Sequence, residues 1–190
     1  MKVDGVFSGG GVKALAFIGA LEELEDQGYT FSRVAGTSAG AILASLNAAG
    51  YTAQELKDKL KSLSFEKLVD VPLTDRLLPF MKWLLLYYRL GLYKGNRLES
   101  TIEKWLEEKG IRTFADLPHN SLKIICSDLT IGRIVVLPDD LKRVYGIDPA
   151  TFSVAKAVRM SSGLPYFFIP VKIHGKKGKS VIVDGGVLSN

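Results

Sequence analysis

The chain has one cysteine, Cys126, among 190 residues. An internal disulfide is therefore excluded, and the usage suits a reducing compartment. Histidine is almost as scarce, with His119 and His174 the two present. Any histidine base has to be one of them. Long apolar runs are missing as well: the longest, residues 84–88, lies between Lys82 and Arg89 and falls far short of the roughly 20 residues that cross a bilayer. The N-terminus enters a strand pattern at once and carries no apolar signal core. These features lead to the expectation of a cytoplasmic protein. The charge excess is small, with 25 basic against 20 acidic residues. A net charge of +5 favours an anionic surface without demanding nucleic acid. No basic cluster is interleaved with aromatics, so nucleic acid is set aside as a partner. Internal repeats and low-complexity linkers are also absent. With 47% hydrophobic and 24% charged residues, the composition is that of a globular protein able to bury a sizeable core.

Two strand–turn–helix units open the chain. Residues 3–7 read as a buried strand that runs into Ser8-Gly9-Gly10-Gly11. A helix then covers residues 12 to about 27, where Phe17, Ile18, Leu21 and Leu24 recur at helical spacing. Gly28 stands where a C-terminal cap belongs. Residues 31–35 form a second strand, and residues 41–46 a buried helix. Between them lies Gly36-Thr37-Ser38-Ala39-Gly40. This fits G-x-S-x-G, the sharp turn that lifts a serine hydroxyl from a strand end onto a helix start. Strand–helix–strand–helix at this spacing predicts a parallel α/β unit with both glycine turns at one sheet edge, where open α/β sheets place their sites.

The remainder is less regular. Residues 52 to about 110 read as mostly helical, beginning with a capping box of Thr52 and Glu55. Residues 80–90 are apolar on nearly all sides, and residues 97–109 are amphipathic. Strands are expected at 122–127 and 133–137, a short helix at 151–160, and a hairpin of 171–174 with 180–183. The last strand delivers Asp184-Gly185-Gly186. Residues 80–93 admit two readings: a buried core helix, or a cap that meets lipid through Trp83, Tyr87, Tyr88 and Tyr93, with Lys82 and Arg89 facing anionic head groups.

A serine hydroxyl needs a base to take its proton, and the tetrahedral oxyanion needs preorganised donors. Ser38 is the candidate nucleophile. Gly9, Gly10 and Gly11 can offer bare backbone N–H groups at a helix N-terminus. Neither histidine follows a clear acid turn, and a surface or capping role suits each. Asp184 is then the best base, and partial burial would raise its pKa toward the working range. Asp128 is the alternative base, although the turn that follows it explains it on its own. The pattern Gly9-x-Gly11-x-x-Ala14 also fits a dinucleotide fingerprint, but the second strand lacks the terminal acidic residue that this site uses. A P-loop fails because Lys13 is not followed by Ser or Thr.

With these pieces assembled, the chain resembles the patatin-like phospholipase family. The resemblance rests on Gly9-Gly10-Gly11-Val12-Lys13, Gly36-Thr37-Ser38-Ala39-Gly40 and Asp184-Gly185-Gly186. The stretches Cys126-Ser127-Asp128-Leu129-Thr130-Ile131-Gly132-Arg133 and Val158-Arg159-Met160-Ser161-Ser162-Gly163-Leu164-Pro165-Tyr166-Phe167 lie between them in the family's order. One departure is Ala14, where a glycine is common. The resemblance implies a three-layer α/β/α sandwich with a mostly parallel sheet, and a Ser38–Asp184 dyad without histidine. It also implies an oxyanion hole at Gly9, Gly10 and Gly11, no metal and no cofactor. The implied substrate is a lipid ester met at a membrane surface, hydrolysed through an acyl-enzyme. A non-catalytic lipid- or partner-binding module on the same fold is the rival reading. The domain expectation is one patatin-like catalytic domain over residues 1–190. Because the chain stops so soon after Asp184, further C-terminal helices are expected beyond it.

Overall fold

The computed structural model describes residues 1–11, 15–62, 86–175 and 178–189. Lys13, Ala14, the apolar segment up to residue 85 and the Lys176-Lys177 hairpin tip lie outside the described residues. The elements are β1 (Lys2–Phe7), α1 (Leu15–Asp26), β2 (Thr30–Thr37), α2 (Ala39–Ala48), α3 (Ala53–Ser62), β3 (Gly91–Tyr93), α4 (Asn96–Glu108), β4 (Leu122–Asp128), β5 (Arg133–Leu137), α5 (Val154–Ser161), β6 (Tyr166–Phe168), β7 (Val171–Gly175) and β8 (Gly178–Asp184). Short 3-10 and π turns connect several of them.

The central sheet has a parallel core, with β1 beside β2 and β2 beside β4. Around it β5, β8 and β7 add antiparallel pairings. The fold is thus the expected α/β class. Strand β4 supports three neighbours, and its register sets up the site. On one edge β2 pairs with Leu122 through Ile125, ending at Thr37 opposite Ile125. Antiparallel β8 pairs from Cys126 through Asp128, ending at Asp184 opposite Cys126. β5 pairs along residues 124–128 and takes the other edge. Two strands running in opposite directions along one edge of β4 therefore bring their C-terminal ends together at consecutive β4 residues.

Side-chain pattern explains which surfaces pack. In α4, Leu98, Ile102, Trp105 and Leu106 are buried; this is the i, i+4, i+7, i+8 stripe of an amphipathic helix. Helix α2 is rich in small and apolar residues and buries Gly40, Ala41, Leu43, Ala44, Ser45 and Leu46. It lies on β1, β2 and β4, with α5 beside it on β4 and β8. β4 buries side chains on both faces. The buried apolar residues form one continuous cluster. On β1 the alternation separates the faces, since Gly5 and Phe7 are buried while Asp4 and Val6 are exposed. Asp4 pairs there with Arg33 across to β2.

Several boundaries differ from the sequence expectation. The Thr52–Glu55 capping box forms, with Glu55 accepting from Thr52 N at 2.8 Å. The short helix begins at Val154 because Ser153 caps it, accepting from Lys156 N at 3.2 Å. The helical expectation over 52–110 is broken by β3, which pairs parallel with β6 in a separate two-stranded sheet. Three-residue strands are too short for periodicity to reveal.

Candidate active site

Ser38 stands on the turn between β2 and α2 with φ 55° and ψ −125°. A non-glycine residue in that region is strained by about 1–3 kcal/mol, so its surroundings must hold it there. The flanking glycines are sterically required. A Cβ on Gly36 would collide with the backbone carbonyl of Gly40, and a Cβ on Gly40 with the carbonyls of Phe7 and Ser8. The end of β1 thus lies directly against the first turn of α2. This closeness places the glycine turn after β1 beside the serine turn after β2.

The Ser38 Oγ donates a hydrogen bond to Asp184 Oδ2 at 2.6 Å. The other carboxylate oxygen accepts from Gly186 N at 2.8 Å. Asp184 is 4% exposed. Burial pushes its carboxyl above the ordinary value, and the hydrogen bonds from Ser38 and Gly186 pull in the opposite direction. Gly185 is glycine for a packing reason, because a Cβ there would strike Ile125 O and sit 2.8 Å from Thr37 Cγ2. The chain after β8 can fold against β4 only without a side chain at this position.

Both residues line a cavity of about 510 Å³. Gly9, Gly10 and Gly11 form part of its wall, together with Ser162 and Gly186. The rest is apolar: Ala39 and Ile42 from α2, Leu98 from α4, Phe167 and Phe168 from β6, and Leu164 and Val187. Leu164 and Val187 are 55% and 44% exposed, so they belong to the mouth. The arrangement sets a hydroxyl and a carboxylate in the wall of a cavity whose remaining lining is largely apolar.

The other sequence candidates lie elsewhere. His119 and His174 are both exposed, and neither lines the cavity. Asp128 is fully buried but occupied, with Oδ2 accepting from Tyr145 Oη at 2.8 Å and Oδ1 from Thr130 N at 2.8 Å. It also lies outside the cavity lining. Tyr87 and Tyr88 are 76% and 74% exposed, which removes that part of residues 80–93 from the core. Among the described residues no three metal-ligating side chains converge, and no helix is long and apolar enough to cross a membrane. Sequence reasoning missed the apolar walls. The Phe167-Phe168 pair following Pro165 was their available signal.

The strained serine turn on this sheet defines the class against which the chain compares. A family model described as patatin-like phospholipase matches residues 5–190. The chain belongs to that family. It is 53% identical over 190 residues to the uncharacterized protein YqhO of Bacillus subtilis, spanning the whole of this chain and 65% of YqhO. Among solved structures it superposes on VipD from Legionella pneumophila with a TM-score of 0.61 at 19% identity, covering 98% of this chain and 46% of VipD. The type III effector ExoU gives a TM-score of 0.55 at 22% identity, over 84% of this chain and 39% of ExoU. At such identities these two likenesses concern the fold. The chain spans less than two thirds of the length of each of the three.

Proposed function

We propose that the protein is a serine hydrolase that cleaves acyl esters of lipids through a Ser38–Asp184 dyad. The observation that carries this reading is the 2.6 Å hydrogen bond from Ser38 Oγ to Asp184 Oδ2 inside an apolar cavity. Family membership supports the lipid substrate. In the reaction Ser38 Oγ attacks the ester carbonyl carbon while its proton passes to Asp184. The carbonyl oxygen becomes an oxyanion held by backbone N–H groups of Gly9, Gly10 and Gly11. As the tetrahedral intermediate collapses, the C–O bond to the leaving alcohol breaks and the alcohol takes the proton from Asp184. Water then attacks the acyl-serine and gives a proton to Asp184; the bond from the acyl carbon to Ser38 Oγ breaks as Asp184 returns that proton to Oγ, which releases the fatty acid and restores both residues. The raised carboxyl pKa moves Asp184 toward the range of a useful base.

Exposed Leu164 at the cavity mouth, with exposed Tyr166 two residues further on, suits contact with a lipid surface. That contact is peripheral, made by these two side chains. A fluorophosphonate probe tests the chemistry. Covalent labelling mapped to Ser38, and absent from Ser38→Ala, is expected. Folded protein that does not label would leave a non-catalytic lipid-binding module as the better reading. Sedimentation with phosphatidylglycerol vesicles tests the surface contact, and Leu164→Ser with Tyr166→Ser is expected to reduce the bound fraction.

A further inference from the structure

The three residues at the end of α5 each bond to the backbone of one member of the Ser38–Asp184 pair. Ser161 Oγ accepts from Ser38 N at 2.9 Å and donates to Ile125 O at 2.5 Å. Ser162 Oγ donates to Ser38 O at 3.1 Å. Gly163 O accepts from Asp184 N at 3.0 Å. Both the amide and the carbonyl of Ser38 are thus gripped by neighbouring hydroxyls, while the next residue holds the backbone of Asp184.

We propose that Ser161, Ser162 and Gly163 are positioning residues that set the Ser38–Asp184 geometry for the reaction. The inference rests on the hydrolase reading of that pair. Its physical basis is the strain at Ser38. A residue at φ 55° and ψ −125° relaxes unless its peptide groups are pinned. The start of α2 pins only half of this residue: Ala41 N donates to Ser38 O at 2.9 Å, the Ser38 side chain makes no cap hydrogen bond, and the Ser38 amide is held by Ser161. The Ser161 hydroxyl spends its proton on Ile125 O and its lone pair on Ser38 N, so it ties the turn to β4. Ile125 is the residue opposite Thr37, and its neighbour Cys126 is opposite Asp184. The same β4 junction that aligns the two strand ends therefore anchors the turn as well. Ser161 is fully buried and Ser162 is 9% exposed. Water is poorly placed to replace the Ser161 hydroxyl if it is removed.

The role is read by comparing acylation with binding. In the full chain, Ser161→Ala and Ser162→Ala are each expected to slow fluorophosphonate labelling of Ser38, with Ser161→Ala losing about 10- to 100-fold, the scale of an ångström-level misplacement. On a chromogenic fatty acyl ester, Ser161→Ala should lower kcat while KM stays close to wild type, because Ser161 lies outside the cavity lining. Generalised loosening would instead raise KM. Ser162→Ala removes one hydrogen bond and carries the test if Ser161→Ala does not fold. Ser162→Thr keeps the hydroxyl and should recover much of the rate. A folded Ser162→Ala that labels at the wild-type rate would overturn the positioning role and leave the hydrolase reading intact. Wild-type protein that is folded yet unlabelled would remove the hydrolase reading, and this inference with it.

Discussion

Two buried aspartates end neighbouring strands, and they are held in different ways. Asp128 closes β4 and Asp184 closes β8, two residues apart along the antiparallel pairing of those strands. Each is followed by a turn whose amide bonds back to its carboxylate. The difference lies in the other oxygen. At Asp128 it accepts from Tyr145, a side chain that is itself buried. At Asp184 it accepts from Ser38, and a cavity opens beside the pair. Burial and a turn are common to both. A serine partner and an adjoining cavity belong to Asp184. A buried acid is thus a site candidate only when its environment leaves something to react.

The largest expected effect breaks this symmetry outright. Asp184→Asn should reduce Ser38 labelling and ester hydrolysis by about 10²–10⁴-fold, the usual worth of a positioned general base. Asp128→Asn should leave the chemistry unchanged in protein that remains folded. Parallel kinetics on the two variants provide the check. Comparable losses of acylation in both would abolish the distinction and reopen Asp128 as the base.

Stability gives the next contrast. Tyr145 donates to a carboxylate that has no exposure to water. Tyr145→Phe strands that oxygen and should cost about 1–3 kcal/mol. Each kcal/mol corresponds to about 2–4 °C in Tm at this chain length. Thermal unfolding followed by circular dichroism would show it. An unchanged Tm would mean that the Asp128 turn holds without its tyrosine.

The sequence made parts of this contrast legible and hid others. Gly36-Thr37-Ser38-Ala39-Gly40 was readable because its glycines answer local steric demands: each faces backbone within a few residues or at the adjacent strand end. Asp184 was readable because two glycines follow it and no histidine does. The reason that Asp184 meets Ser38 was not readable. It depends on β2 and β8 ending at consecutive residues of β4, a matter of register between segments about 150 residues apart in sequence. The cavity walls were hidden for a related cause. Ile42, Leu98 and Phe168 come from three separate elements, and an apolar residue facing a cavity reads in sequence like one facing the core. Ser161 and Ser162 end a helix that looks ordinary, and only the fold sets their hydroxyls against Ser38.

The smallest effect is the sharpest, because the same substitution should change stability with opposite signs at the two aspartates. Burial raises the carboxyl of Asp184 above its unfolded-state value. Such a group favours the fold while protonated; that contribution is complete below the unfolded-state pKa and is lost as pH rises through the folded-state pKa. At neutral pH the charged form therefore weighs against folding. The amide introduced by Asp184→Asn carries no charge, and its oxygen can still accept from the Gly186 N–H. Asp184→Asn should thus have a higher Tm than wild type at pH 7. The advantage should shrink in acid and vanish below about 3.9, where the wild-type carboxyl is neutral in both states. Asp128→Asn should have a lower Tm at pH 7, since its carboxylate accepts from two backbone amides and a phenol that an amide group cannot fully replace. The pH dependence also reaches activity, because acylation should fail as pH drops through the raised Asp184 pKa. A Tm for Asp184→Asn below wild type at pH 7 would mean that the bonds from Ser38 and Gly186 outweigh desolvation, and the acid limb of acylation should then lie at or below the ordinary carboxylate value. Stability and rate thus report the same balance at one carboxylate, and the two measurements must agree.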